Sequence, residues 1–171
     1  MSHPEHIDVE ALIQRLDLQP LPVEGGLFRQ TWRGPGNAGT CIYGMLTDAP
    51  DSFSALHRLP TDEIWHFYLG DPLDLLLLFP NGTSAHVTLG SNLLGSAHCQ
   101  YIVPAGTWMG ARLLPGGFFA LFGCTMAPGF DASGFEAGER AALALAFPHE
   151  RVAIEALTRP GANDERMPDG I

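Results

Sequence analysis

Between residues 27 and 124 the chain is a succession of short runs rich in Ile, Val, Leu, Phe, Trp and Tyr, cut by clusters of Gly, Pro, Asn and Asp. The runs are LFRQTW, TCIYGML, FSALH, EIWHFYL, LDLLLLF, SAHVTL, CQYIV, TWMGARL and GFFALFGC. The cuts include GPGN, DAPDS, GDP, PNG, PAG and PGG. Many short strands at this spacing predict an antiparallel sandwich or barrel. A parallel α/β sheet needs a helix-length segment between strands, and none is present in this stretch.

Helical patterning is confined to the two ends. In DVEALIQRLDL, residues 8–18, Val9, Leu12, Ile13 and Leu16 fall on one stripe, and Asp8 is suited to cap the first turn. GERAALALAF is rich in Ala and Leu, and PHERVAIEALTR opens with Pro148, a residue that fits a first helical turn. The stretch 160–171, PGANDERMPDGI, has few apolar residues and reads as a flexible tail. Without repeats or low-complexity linkers, the 171 residues read as a single domain with its core over about 8–158.

Charge narrows the function. The net charge is −10, and no basic cluster interrupts it, which argues against nucleic acid and against anionic membranes as partners. All nine cationic side chains are Arg. A chain without Lys has no Schiff-base amine and no P-loop lysine, whereas Arg still permits bidentate capture of an anion. Cys41, Cys99 and Cys124 are widely spaced and form no C-x-x-C, so they read as small buried hydrophobes of a reduced compartment. MSHPEHIDVE lacks the basic start and apolar stretch of a leader, and the expected location is the cytoplasm. The longest apolar run, LLLLF at 75–79, is too short to span a bilayer.

The densest group of chemical side chains is HRLPTDEIWHFYLGD, residues 57–71. Side chains alternate along a strand, so Glu63, Trp65 and Phe67 share one face, while Ile64, His66 and Tyr68 share the other. His57, across the LPTD turn, is expected on the strand paired with this one, its imidazole meeting the Glu63 carboxylate in a barrel mouth. His66 and Tyr68 then serve packing or a dimer contact. In EGGLFRQTW, Gly25 and Gly26 permit a tight turn after Glu24, and Arg29 is either an anion clamp or a structural ion pair. Trp65, Phe67, Trp108 and Tyr43 are core residues or, for some, cavity-lining aromatics. Arg112 lies opposite Met109 and reads as structural; His86 and His98, near turns, read as surface. No G-x-S-x-G supports a serine hydrolase.

The spacing of His57, Glu63 and Gly70 resembles the first cupin motif, H-x-H, E and G. Pro104, Gly106 and Met109 in VPAGTWM resemble the second, P-x-G-x-x-H. EGGLFRQTW, IYGML, HRLPTDEIWHFYLGDPLDLLLL, VPAGTW and CTMAPGFD together resemble the cupin_5 family, domain of unknown function 985, over residues 11–158. The resemblance implies an all-β cupin double-stranded β-helix (jelly roll) with an N-terminal helix and C-terminal helices, a homodimer, and a fold shared with dTDP-4-dehydrorhamnose 3,5-epimerases. The departures are specific. Ala55 and Met109 stand where the general cupin metal site has histidines, and Leu27 and Met109 stand where the family has Tyr and Gln. The metal set is thereby reduced to His57 and Glu63 for a divalent ion.

Three functions remain open at this stage. The first is a pocket for a small sugar-like or nucleotide-linked ligand with isomerase or epimerase chemistry. His57, Glu63 and Tyr43 are its catalytic candidates, and Arg29, Trp65, Phe67, Met109 and Gln100 its ligand-binding ones. The second is a metal-dependent cupin enzyme, a dioxygenase or sugar isomerase. The third is a non-catalytic metabolite-binding module.

Overall fold

A computed structural model of the protein describes residues 7–161, 166–169 and 171. Helix α1 (Val9–Leu16) is followed by strands β1 (Gln19–Pro20), β2 (Leu27–Arg33), β3 (Thr40–Thr47), β4 (Ser54–Arg58) and β5 (Glu63–Gly70). Then come β6 (Leu73–Leu78), β7 (Ser84–Leu89), β8 (Gln100–Val103), β9 (Trp108–Leu113), β10 (Phe119–Met126) and β11 (Glu136–Ala137). Helices α2 (Arg140–Ala146) and α3 (Arg151–Ala156) follow. The strands form two antiparallel sheets, one six-stranded in the order β1-β2-β3-β10-β5-β8 and one five-stranded in the order β11-β4-β9-β6-β7. Non-consecutive neighbours in both sheets wrap the chain as a jelly roll, with the core between the sheets.

All nine predicted runs are strands. The two extra strands, β1 and β11, have two residues each, too few to leave a periodic signal. The predicted first helix is present, with the Asp8 side chain accepting from the Ala11 N–H at 3.0 Å. Its apolar stripe packs on the outer face of the six-stranded sheet, against Met45, Phe119 and Leu121. Pro148 opens a short 3-10 turn, Pro148–Glu150, directly before α3.

The apolar run at 73–79 now has an explanation. Leu73, Leu75 and Leu77 point between the sheets. Leu76 and Leu78 point outward, under Leu143, Phe147, Ile154 and Leu157 of the C-terminal helical segment. β6 is therefore covered on both faces, which removes the usual alternation of apolar and polar residues. β10 is covered in the same way, with Phe122, Cys124 and Met126 facing inward and Phe119 and Leu121 facing α1.

Of the expected tail 160–171, residues 162–165 and 170 lie outside the described residues, and Met167 is 6% exposed. The expectation for the cysteines is corrected in part. Cys124 is buried as expected, but Cys41 is half-buried and Cys99 is exposed on an irregular segment. No helix among the described residues is long and apolar enough to cross a membrane.

Because both faces of β6 are buried, Leu75→Ala and Leu76→Ala should each destabilise the protein by about 2–5 kcal/mol. Urea unfolding midpoints check this; a near-neutral Leu76→Ala would mean that the α2–α3 layer contributes little to the fold.

Candidate functional site

One end of the space between the sheets is not filled by core side chains. Period-two alternation decides which residues reach it. Phe28 and Gln30 from β2, Thr40 and Ile42 from β3, and Cys124 and Met126 from β10 line the hollow. Leu21 and Glu24 come from the β1–β2 loop, and Phe130 and Phe135 from the segment after β10. His57 and Glu63 project into it from β4 and β5. These two strands belong to opposite sheets, so imidazole and carboxyl face each other across the sandwich and not along a hairpin ladder. The predicted pairing of their strands is corrected: β4 pairs with β9 and β11, and β5 with β10 and β8.

His57 owes its orientation to an irregularity in β4. Ser54 pairs with Ala111 and His57 with Met109, so three steps on β4 oppose two on β9. The extra residue is a bulge, a device that re-aims side chains. Here it leaves the Ala55 carbonyl 2.7 Å from Nδ1 of His57. A carbonyl only accepts, so Nδ1 carries a proton, and whenever the ring has a single proton its lone pair is on Nε2. Nε2 lies 3.8 Å from Oε2 of Glu24, and the ring stacks on Phe135 with centroids 5.2 Å apart. His57 is 2% exposed.

Glu24 was visible in the sequence only as the residue before two glycines, and it is the site residue that strand reasoning missed. Its turn is tightly specified. Val23, Gly25 and Gly26 all have positive φ, at 65°, 97° and 71°. For β-branched Val23 this is a strained conformation. Arg159 holds the turn by donating from Nη1 to the Glu24 carbonyl at 2.6 Å, and Ser54 Oγ donates to Glu24 Oε1 at 2.7 Å. A sequence cue existed in PVEGG, a carboxylate beside residues that allow close backbone approach.

Glu63 is 7% exposed. Trp65, two residues on and on the same face, donates its Nε1–H to Oε2 at 2.9 Å. Burial pushes the Glu63 carboxyl up to about 7; the neighbouring His57 lowers it, Glu24 raises it, and hydrogen bonds from Trp65 and Cys124 lower it. Near neutral pH the group is shared between acid and carboxylate. Burial also drives the Cys124 thiol well above its ordinary range, so the sulfur is a neutral neighbour and not a thiolate nucleophile.

The remaining candidates are placed elsewhere. Tyr43 follows cavity-lining Ile42 and therefore points to the outer face, edge-on to Tyr68 with centroids 6.1 Å apart. Arg29 lies between Phe28 and Gln30 and also points outward, donating to the Leu16 carbonyl at the end of α1, 3.2 Å away. Gln100 is exposed on edge strand β8 and donates to His66 Nδ1 at 3.3 Å. Trp65 and Met109 are in the packed core beyond the hollow, and Phe67 packs against that core. Trp65 acts on the site through its hydrogen bond to Glu63.

The donors do not fit the general cupin metal set. Ala55 supplies a backbone carbonyl to His57, Met109 is enclosed in the core, and one oxygen of each carboxyl is engaged by Ser54 or Trp65. Among the described residues no three His, Cys, Asp or Glu side chains converge on a point that would hold an ion.

Raising the pKa of Glu63 in the folded state has a definite linkage. The unfolded carboxyl titrates near 4.5 and the folded one near 7. Its contribution to stability is full below 4.5 and is lost as pH rises through 7. Unfolding free energies of the wild type should therefore fall relative to Glu63→Gln across that window. Parallel curves for the two proteins would show that Glu63 is ordinary.

Comparison with known proteins places the fold. The family model Cupin_5, described as Cupin superfamily (DUF985), matches residues 10–138. A protein of Shewanella oneidensis solved by crystallography is 30% identical, with a TM-score of 0.82 over 91% of this chain and 99% of that one. A hypothetical protein from Leishmania major is 32% identical, with a TM-score of 0.79 over 87% and 97%. Oxalate decarboxylase from Bacillus subtilis shares the fold at 16% identity, with a TM-score of 0.55 over 90% of this chain and 41% of that one. No curated protein matches the chain. With the family model covering well over half of its length, the chain belongs to the Cupin_5 (DUF985) family of the cupin superfamily.

Proposed function

We propose that the hollow binds a small carbonyl compound and moves a proton on the carbon beside the carbonyl, the step common to isomerases, epimerases and tautomerases. The observation that carries this reading is the pairing of a fixed base with a tuned acid. His57 is held on the Ala55 carbonyl through Nδ1, which leaves Nε2 to take the proton. Glu63, pushed up to about 7, holds a proton for the carbonyl oxygen in a useful fraction of molecules at neutral pH. As the C–H bond breaks, its electron pair forms the carbon–carbon double bond of the enol. The carbonyl electrons take the proton of Glu63. Return of a proton from His57 to carbon and from the enol oxygen to Glu63 completes the cycle. Glu24, beside Nε2, stabilises the imidazolium formed midway. Tyr43 has no part in this scheme, since it stands on the outer face.

The lining also bears on the ligand. Leu21, Phe28, Ile42, Leu59, Met126, Phe130 and Phe135 form most of the wall. A polyhydroxylated sugar would leave hydroxyls without partners against these residues, at a cost of about 1–3 kcal/mol each. An apolar body with a polar reacting end fits better, and the sugar and nucleotide-linked readings lose ground on that account.

The test is solvent deuterium exchange. In D2O, a panel of small charged and uncharged carbonyl compounds is followed by proton NMR for loss of the signal next to the carbonyl. His57→Ala and Glu63→Gln should each slow exchange by about 10²-fold or more. A compound that binds without exchanging would make the protein a metabolite-binding module instead, and unchanged exchange in His57→Ala would remove the base assigned here.

A further inference from the structure

One imidazole ties the C-terminal helical segment to the outer face of the five-stranded sheet. His86 stands on β7, and its Nδ1 lies 3.0 Å from both carboxyl oxygens of Asp74 on the neighbouring β6. Its Nε2 lies 3.1 Å from Oε2 of Glu150, which ends the 3-10 turn before α3. A carboxylate only accepts, so both contacts are hydrogen bonds only while both ring nitrogens carry protons. The neutral ring satisfies one partner and turns a lone pair on the other. Ser84 supplies a link that does not depend on the ring: its Oγ donates to Oε1 of Glu150 at 2.5 Å and, with its one proton so used, accepts from His149 Nε2 at 3.2 Å. Arg112 stands opposite Asp74 on β9 but makes no ion pair among the described residues. Arg151 is paired with Glu155, and Arg140 donates to Thr158.

The segment held in this way reaches the hollow. The bulge in β4 leaves backbone groups that β9 does not pair, and the chain after α3 helps to satisfy them. The Leu56 N–H donates to the Leu157 carbonyl at 2.8 Å, and the Ala55 N–H donates to the Glu24 carbonyl at 2.9 Å. Arg159 donates to that same Glu24 carbonyl and, through Nη2, to the Asp51 and Phe53 carbonyls at 2.9 and 3.2 Å. Ala55 is the residue whose carbonyl orients His57, and Glu24 carries the carboxyl beside Nε2 of that ring. Glu150 and Leu157 bracket α3, a helix of six residues whose Ile154 is fully buried. A shift at the Glu150 end is therefore carried to the Leu157 end by one short rigid element.

We infer that His86 is a pH-responsive latch: its cationic form seats the C-terminal helical segment on the sheet, and the seated segment holds the β4 bulge and the Glu24 turn in place. The inference goes beyond the proton-transfer reading and does not need it, since it concerns where His57 and Glu24 stand and not what they do. Burial lowers the His86 value, but the hydrogen bonds and charges of Glu150 and Asp74 outweigh it and hold the ring above its ordinary 6.5. The latch is thus fully present below 6.5 and is lost as pH rises through the higher folded value. Glu150 limits it on the acid side. Burial raises its carboxyl, but the hydrogen bonds of Ser84 and His86 and the charges of His86 and His149 bring it below 4.5, and its contribution is lost as pH falls through that lower value. The grip is greatest between 4.5 and 6.5 and slackens as the medium turns alkaline.

Amide hydrogen exchange of the full-length protein, read by NMR and divided by the intrinsic rate at each pH, tests this. From about pH 6 to about pH 8.5, protection of the Leu157 and Leu56 amides should fall about fivefold or more relative to amides of the β3–β10 ladder, and the Ala55 amide should follow. In His86→Gln and in Glu150→Gln these ratios should be low at both pH values. A wild-type ratio that does not change with pH, a variant ratio that still changes, or a response confined to Leu157 that leaves Leu56 and Ala55 unmoved overturns the inference. Equal loss of protection in the β3–β10 ladder of the variants does so too, since His86 would then serve overall stability and not a latch. No substrate enters the measurement, so the two readings fail separately. A pH-dependent ratio without deuterium uptake on any carbonyl compound sinks the proton transfer alone, whereas uptake with an invariant ratio sinks the latch alone.

Discussion

A carboxyl group enclosed between two apolar sheets costs several kcal/mol as a bare anion unless donors reach its oxygens or a proton stays on it. Glu63 uses both solutions. Trp65 supplies a donor from the same face of the same strand, and burial holds the proton on the remaining oxygen to about neutral pH. The geometry around it follows from that requirement. Trp65 has to be fixed, and it is, stacked on Phe122 with centroids 4.8 Å apart. The groups facing Glu63 have to be fixed as well, since a mobile imidazole or a second free carboxylate would change its charge. His57 is tethered through the Ala55 carbonyl, and Glu24 through Ser54 and the Arg159 clamp.

The two-layer sandwich makes such an end possible. Central strands β6 and β10 are covered on both sides, by the opposite sheet within and by helices without. Most of the interior is thereby committed to leucine, methionine and phenylalanine packing. Polar chemistry is left to the end where β2, β3, β4, β5 and β10 deliver one or two inward positions each and where loops, not strands, supply the closing residues.

The fold was largely legible in the sequence because it is written in local terms. Alternation, turn clusters and an amphipathic stripe with an aspartate cap are read residue by residue. The site was legible only where alternation from a known strand sufficed, as for Glu63, Trp65 and the outward His66. It failed for Tyr43 and Arg29 because their faces are set by Ile42, Phe28 and Gln30, whose inward direction no periodic pattern announced. Gln100 failed because β8 is an exposed edge strand. The partnership of His57 with Glu24 depends on a bulge and on a turn with three positive φ values, neither of which has a periodic signature. The packing of Met167 is a long-range contact made by a single apolar residue in a polar stretch.

The bulge in β4 has a consequence for how related chains are compared. Three residues there stand opposite two, so the inward direction of His57 is a matter of counting. A homologue of the same length whose ladder stayed unbroken from the position of Ser54 to that of His57 would turn its imidazole out of the interior, even with every other residue of the motif retained. Aligning such chains by residue type alone would equate histidines that occupy opposite sides of the same sheet.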